Sequence, residues 1–161
     1  MKGAVFAGTF DPVTNGHLDL MQRALRMFDS LTVAVAERAE KGVIFTQQER
    51  VEMIREAASS LGRITVEPFA GLLVDFARQR KIPVLVRGLR FISDFEYEFQ
   101  MALMNRRLHD QIETVFLMPS ETYTYLNASL VKEIARYGGA IDDFVPPNVA
   151  PRLRERLKQA R

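Results

Sequence analysis

Short apolar runs alternate along this chain with segments whose apolar residues recur at helical spacing. Val5-Phe6-Ala7, Leu31-Thr32-Val33-Ala34-Val35, Ile64-Thr65-Val66, Val84-Leu85-Val86 and Val115-Phe116-Leu117-Met118 read as five strands, the second rich in β-branched residues. After the first run, Leu18, Met21, Leu25 and Phe28 mark one face of a helix. Thr46, with Glu49 three residues on, has the pattern of a capping box and opens a helix to about Leu61, with Val51, Ile54, Ala58 and Leu61 on its apolar face. Further helices are predicted over Leu72 to Arg80, Asp94 to Leu108, Ser129 to Tyr137 and from Pro151 to the end. Strands separated by helices of this size predict an α/β fold. It is a Rossmann-like, five-stranded parallel sheet with right-handed crossovers and helices on both faces. No repeat, low-complexity run or long linker divides the chain, so residues 1–161 read as a single domain ending in a C-terminal helix. In such sheets ligands bind beyond the carboxyl ends of the strands, near the switch point. The turns after strands one, four and five should therefore share one cleft.

The turn after the first strand is the richest in chemistry: Gly8-Thr9-Phe10-Asp11-Pro12-Val13-Thr14-Asn15-Gly16-His17. Gly8 and Gly16 permit close approaches that a Cβ would block. Asp11-Pro12 is turn chemistry, and Thr14 or Asn15 can cap the helix that follows. The start of that helix offers unpaired N–H donors and the positive end of its dipole to an anion. His17, in its first turn, can donate a hydrogen bond to a phosphate oxygen. Thr14, Gly16 and His17 resemble the Thr/His-x-Gly-His core of the nucleotidyltransferase superfamily. There the first residue and the last histidine bind the α- and β-phosphates of a nucleoside triphosphate.

Four other segments carry candidate chemistry. Arg87-Gly88-Leu89-Arg90 follows the fourth strand and reads either as a charged loop or as a phosphate fork placed at the cleft. Asp94 and Glu96 suit a helix N-terminus, and Glu98 reads either as a surface acid or as a partner of a ribose hydroxyl. Asn127 and Ser129, in Tyr123-Thr124-Tyr125-Leu126-Asn127-Ala128-Ser129, are cap-like and again present a helix start to an anion. Lys41, in the loop after strand two, is either a solvated charge or, if that loop meets the cleft, a cation for a reacting phosphate. The long helix also has two apolar stripes: Phe95, Phe99, Ala102 and Leu103, and, on roughly the opposite side, Tyr97, Met101, Met104 and Leu108. One should face the sheet and the other a second copy of the chain, so a homo-oligomer is expected.

Composition narrows the field. Apolar residues make up 47% of the 161, and no run approaches the roughly 18 apolar residues of a membrane span. There are no cysteines, which removes disulfides and thiolate metal sites, and the N-terminus begins at once with strand and turn chemistry. A cytoplasmic protein is expected. The formal net charge is +2, without the basic stripe of a nucleic-acid binder. Small anionic ligands are expected, with neither nucleic acid nor membrane as a partner.

Nearly end to end, the chain resembles the phosphopantetheine adenylyltransferases, a family of bacterial coenzyme A synthesis. The resemblance rests on Gly8-Thr9-Phe10-Asp11-Pro12, Phe45-Thr46 with Glu49-Arg50, Val86-Arg87-Gly88-Leu89-Arg90 and Asp94-Phe95-Glu96-Tyr97-Glu98. It continues through Met104-Asn105-Arg106, Phe116-Leu117-Met118-Pro119-Ser120 and Ser129-Leu130-Val131-Lys132-Glu133. It implies transfer of the adenylyl group of ATP to 4′-phosphopantetheine, giving dephospho-coenzyme A and pyrophosphate. It further implies that Thr9, Phe10, His17, Gly88, Leu89, Arg90, Glu98 and the segment Tyr123, Thr124, Tyr125, Leu126, Asn127, Ala128 and Ser129 bind ATP. Thr9, Lys41, Leu73 and Arg87 would hold phosphopantetheine. His17, Lys41 and Arg90 would stabilise charge during transfer. Magnesium carried with the nucleotide, no protein-bound metal, a hexameric assembly and coenzyme A as an inhibitor are implied too. The chain departs from the family's run of small hydroxyl residues at Asn127 and Ala128, where only backbone N–H contacts would survive. A sister enzyme acting on nicotinamide mononucleotide or glycerol phosphate, and a regulatory module that binds ATP without turnover, are the competing readings.

Overall fold

The computed structural model describes residues 2–37 and 42–159. Five strands form one parallel sheet in the order β3-β2-β1-β4-β5: β1 (Gly3–Gly8), β2 (Ser30–Ala36), β3 (Ile64–Phe69), β4 (Val84–Gly88) and β5 (Glu113–Leu117). The pairings β1–β2, β2–β3 and β4–β5 each join strands separated by one helix, the arrangement that the alternation of apolar runs and helical periods predicts, and at β1–β4 the strand order reverses. The inner strands β1 and β2 are buried on both faces, which is why their sequences are almost unbroken apolar runs.

Four helices cover one face: α1 (Asn15–Met27), α2 (Gln47–Ala57), α5 (Ala128–Arg136) and α6 (Val149–Gln159). They bring Met21, Ile54, Val131 and Leu153 onto Phe6, Val33 and Val86 of the sheet. On the other face α3 (Leu73–Gln79) sets Val74, Phe76 and Ala77 against Val5, Ala34 and Leu85. Thr46 caps α2 as the sequence predicts, its side chain accepting from the Glu49 N–H while Glu49 accepts from the Thr46 N–H. Helix α2 stops at Ala57, four residues short of the predicted end, and a short 3-10 turn covers Ser59–Leu61.

The long helix α4 (Ile92–Leu108) departs from expectation. Neither apolar stripe is buried: Phe95, Phe99 and Leu103 are about half exposed, as are Tyr97, Met101, Met104 and Leu108. Phe95 stacks on Phe99 of its own helix and meets β5 by an edge contact with Phe116. The face that turns inward is Asp94, Glu98, Ala102 and Asn105, spaced at the helical period, and Glu98 is its one buried residue. The reason is positional. Helix α4 lies over β5, the edge strand, and its inner side borders a polar cavity instead of the core.

Candidate active site

The cavity lies where the strand order reverses, between the ends of β1 and β4, and encloses about 420 Å³. Its walls come from the turns after β1, β4 and β5 and from the start of α5, the cleft expected from topology. Among its lining residues are Thr9, Phe10, His17, Arg87, Gly88, Arg90, Glu98, Tyr123, Leu126, Asn127, Ala128 and Ser129. Leu89, Thr124, Tyr125 and Leu73 do not line it. Leu73 packs at the start of α3 beside the second core cluster, and the Leu89 N–H is taken by the Leu117 carbonyl. Lys41 falls outside the described residues.

The first turn is built to hold His17. Thr14 is the N-cap of α1, and its side chain accepts from the His17 N–H. The His17 ring completes a reciprocal cap, with Nδ1 accepting the Thr14 N–H at 3.0 Å. A ring nitrogen that accepts a backbone N–H carries no proton, so neutral His17 is protonated on Nε2. Phe10 closes on the imidazole edge-to-face with centroids 5.0 Å apart. Phe10 itself adopts φ 52°, a left-handed conformation rare for a bulky residue. Such strain gathers at functional sites. A Cβ at Gly8 would lie 3.1 Å from the Phe10 ring, a tight approach that would press on that ring, whereas at Gly16 it would find only ordinary contacts. With its side chain buried behind His17, Phe10 has only its backbone to offer a ligand.

Burial, then the charges of Arg90 and Arg87, lower the His17 pKa from 6.5 to about 4. Histidine is therefore a neutral Nε2–H donor at neutral pH. The folded pKa lies below the unfolded one, so the unfolded chain binds more protons between these values, and stability falls as pH drops through that window. In an NMR titration the His17 ring should keep its Nε2–H tautomer down to about pH 5. A ring that titrates near its ordinary value would contradict this geometry.

The cations converge from two directions. Arg87, at the end of β4, donates to both Glu98 carboxylate oxygens and to the Ala7 carbonyl. Arg90 reaches the Leu126 carbonyl at 3.3 Å and pairs with Asp94. Asn127, at the cavity wall, caps α5 by accepting from the Leu130 N–H at 2.8 Å, so its side chain serves the helix.

Three residues to which the sequence reading gives no place in the site tie its walls together. Arg50 is buried and donates to the carbonyls of Phe45, Thr9 and Ala36. Buried Asp11 accepts from the Ile44 and Phe45 N–H groups and from Lys132. Asp19 accepts from the Ser120 N–H and hydroxyl, fixing the turn after β5 to α1. No local pattern marks these ties, since their partners lie far along the chain. Among the described residues no group of three acidic or histidine side chains could hold a metal ion.

Residues 5–134 match the family model described as cytidylyltransferase-like. The chain is 53% identical over 159 residues to the phosphopantetheine adenylyltransferase of Thermodesulfovibrio yellowstonii, covering 98% of this chain and 99% of that protein. It is 50% identical over 153 residues to that of Opitutus terrae, covering 95% and 96%. The chain belongs to the phosphopantetheine adenylyltransferase family. Among solved structures, a bifunctional NMN adenylyltransferase/ADP ribose pyrophosphatase from Francisella tularensis superposes with a TM-score of 0.72 over 98% of this chain and 50% of that one. At 15% identity that likeness concerns the fold alone. In this adenylyltransferase family member, as in the superposed structure, a nucleotidyltransferase-type sheet supplies the frame.

Proposed function

We propose that this protein transfers the adenylyl group of ATP to 4′-phosphopantetheine, forming 3′-dephospho-coenzyme A and pyrophosphate. The observation that carries the reading is the constellation around His17. A neutral Nε2–H donor, the N-termini of α1 and α5, and two arginines border one cavity at the switch point. A phosphate oxygen of the acceptor attacks the α-phosphorus of ATP in line. The new P–O bond forms as the bond to the β-phosphate bridging oxygen breaks, and pyrophosphate leaves. The attacking phosphate is already an anion, so no strong base is needed, and catalysis is positioning plus charge stabilisation. His17 donates to an oxygen of the transferring phosphate, and Arg90 and Lys41 neutralise charge beside it.

The triphosphate rests on the Thr9 and Phe10 backbone, His17 and Arg90. The nucleoside lies along Gly88 and Leu89 and the segment from Tyr123 to Ser129. The acceptor's phosphate is held by Arg87, Lys41 and Thr9, with Leu73 toward its pantetheine arm. The residues present fit a magnesium ion that arrives on the triphosphate, because the one acid deepest in the first turn, Asp11, is taken by Lys132 and two N–H groups. Such an ion would supply neutralisation of the phosphate oxygens. We assign the protein to the cytoplasm as a single catalytic domain, with coenzyme A as an inhibitor through the shared pantetheine arm. Among the described residues no helix is long and apolar enough to cross a membrane.

The outward faces of α4 carry Ile92, Tyr97, Met104 and Leu108 into solvent in the isolated chain. Contiguous apolar surface of this kind favours burial against further copies, and a hexamer is the assembly proposed. Light scattering at micromolar protein should give a multiple of the chain mass, and a monomer mass would contradict it. The activity itself is tested by incubating the protein with magnesium, ATP and 4′-phosphopantetheine. Dephospho-coenzyme A, recognised by its mass, is the expected product, and its absence would refute the reading.

A further inference from the structure

Asp19 stands two residues after His17 on α1 and does not line the cavity, yet its carboxylate is committed to a residue of another wall. Its Oδ2 accepts the Ser120 N–H at 2.7 Å and its Oδ1 the Ser120 hydroxyl at 2.6 Å. Arg23, one turn further along α1, closes the triad. Its Nε donates to Asp19 Oδ2 at 3.0 Å and its Nη2 to the Ser120 hydroxyl oxygen at 2.7 Å. Burial alone would raise the Asp19 pKa, but the hydroxyl and N–H of Ser120, and then Arg23, outweigh it and hold the carboxyl below its ordinary value. The group is therefore charged at neutral pH, and its hydrogen bonds are of the strong, charge-assisted kind. The Ser120 carbonyl serves the other direction, accepting from the Tyr123 N–H at 2.9 Å and the Thr124 hydroxyl at 3.3 Å. The Tyr123 carbonyl in turn accepts the Leu126 N–H at 3.1 Å. Every polar group of Ser120 is thus engaged, and the contacts run from α1 through Ser120 to Tyr123 and Leu126. Pro119, Tyr123 and Leu126 line the cavity, whereas Asp19, Arg23 and Ser120 do not.

From this geometry we infer that Asp19 is a positioning residue for the nucleotide, registering the wall after β5 against the His17 end of its own helix. It rests on the adenylyl-transfer reading, in which the triphosphate meets His17 and the nucleoside lies along the segment 123–129. ATP touches both places at once, so its affinity depends on their separation as well as on each set of contacts. One helix carries His17 and Asp19 and sets that separation. The wall has little to hold it otherwise. Its 3-10 turn, Glu121–Tyr123, is three residues long, and such short turns have poor hydrogen-bond geometry of their own. Ser120 is the cap of that turn, where a serine hydroxyl ordinarily bonds the turn's own N–H groups. Here the hydroxyl makes no such bond and reaches Asp19 instead. A wall that keeps its competent place a tenth of the time weakens a ligand that needs it about tenfold. A ligand that touches the His17 end alone loses nothing.

The test compares ligands that reach one or both of these places. Calorimetry gives the Kd of magnesium–ATP and of magnesium–pyrophosphate for the native protein, Asp19→Asn, Ser120→Ala and Ser120→Thr. Asp19→Asn keeps the size but leaves one acceptor oxygen for two Ser120 donors. Ser120→Ala removes the hydroxyl and keeps the N–H, and Ser120→Thr restores the hydroxyl. The Kd of ATP should rise about tenfold in Asp19→Asn and roughly threefold in Ser120→Ala, and stay within about twofold of native in Ser120→Thr. The Kd of pyrophosphate should stay within about twofold in all three. With 4′-phosphopantetheine as acceptor, KM for ATP should rise in Asp19→Asn while KM for the acceptor holds. Equal ATP affinity in the native protein and Asp19→Asn would overturn the inference. So would a parallel loss of ATP and pyrophosphate affinity, the mark of general damage to α1. Should Asp19→Asn fail to fold, Ser120→Ala carries the comparison, and unchanged ATP affinity there overturns it equally. A Ser120→Thr variant as weak as Ser120→Ala would also count against it, since the hydroxyl would then not be the contact that matters. These affinities need no turnover. A native protein that binds ATP but adenylylates no acceptor overturns the functional reading and leaves the Kd values to decide this one. A native protein that binds neither ligand overturns both.

Discussion

Replacing His17 by alanine is expected to lower turnover by ~10²-fold or more, the range for losing one oriented donor at a developing oxyanion. The physical case lies in how much of the first turn serves this ring. Thr14 donates its N–H to Nδ1, which leaves the proton on Nε2. Phe10 adopts a left-handed conformation and sets its ring on the edge of the imidazole. Burial and the two arginines keep the ring neutral, so it donates a hydrogen bond without adding another cation to the site. In the alanine variant Thr14 still accepts from the N–H of residue 17 but its own N–H loses the ring as partner, so α1 keeps half of its cap, and turnover should fall more than ATP affinity. His17→Gln, which can present an amide N–H from a different position, should recover only part of the rate. A turnover within about threefold of native in His17→Ala would remove the histidine from the mechanism.

Replacing Arg50 by methionine should cost roughly 3–5 kcal/mol of stability, the range for breaking a buried charged network. Its guanidinium is almost fully buried and serves three carbonyls, those of Thr9, Ala36 and Phe45. These lie on the first turn, at the end of β2 and just before α2, so one side chain ties three segments together. Methionine fills similar volume and leaves all three acceptors unpaired in a low-dielectric interior. Arg50→Lys keeps the charge but cannot reach three carbonyls with a planar fork, so it should fall between the two. Urea unfolding reads the loss as a lower midpoint at unchanged slope. A loss below about 1 kcal/mol would mean that water replaces the guanidinium and that Arg50 is not the tie described here.

Much of the architecture is legible in the chain, and the reasons are local. The strands announce themselves because β1 and β2 are buried on both faces, which demands nearly continuous apolar residues. The cap at Thr46 is legible because a capping box needs only residues three apart. His17 stands out through its place at a helix start, but its role in its own cap does not, since the third position of a capping box usually carries Glu or Gln. Helix α4 is misread for a physical reason. The rule that apolar stripes face the sheet assumes an isolated chain with a sheet beneath every helix. Here the helix lies over an edge strand, and its inner face is polar because it borders the cavity. Arg50, Asp11 and Lys132 stand within motifs of the family resemblance, but their roles as ties have no local mark, because their contacts bridge segments far apart in sequence. At Asn127, one of the two departures from the family's hydroxyl run, the side chain caps α5.

The most direct test of the account is the rate of pyrophosphate release from magnesium–ATP with three acceptors side by side: 4′-phosphopantetheine, nicotinamide mononucleotide and glycerol 3-phosphate, the last also with CTP. The account predicts sustained release with 4′-phosphopantetheine alone. Release with another acceptor but not with this one would keep the fold and the His17 site and overturn the substrate. ATP binding with no release from any acceptor would contradict the adenylyl transfer itself.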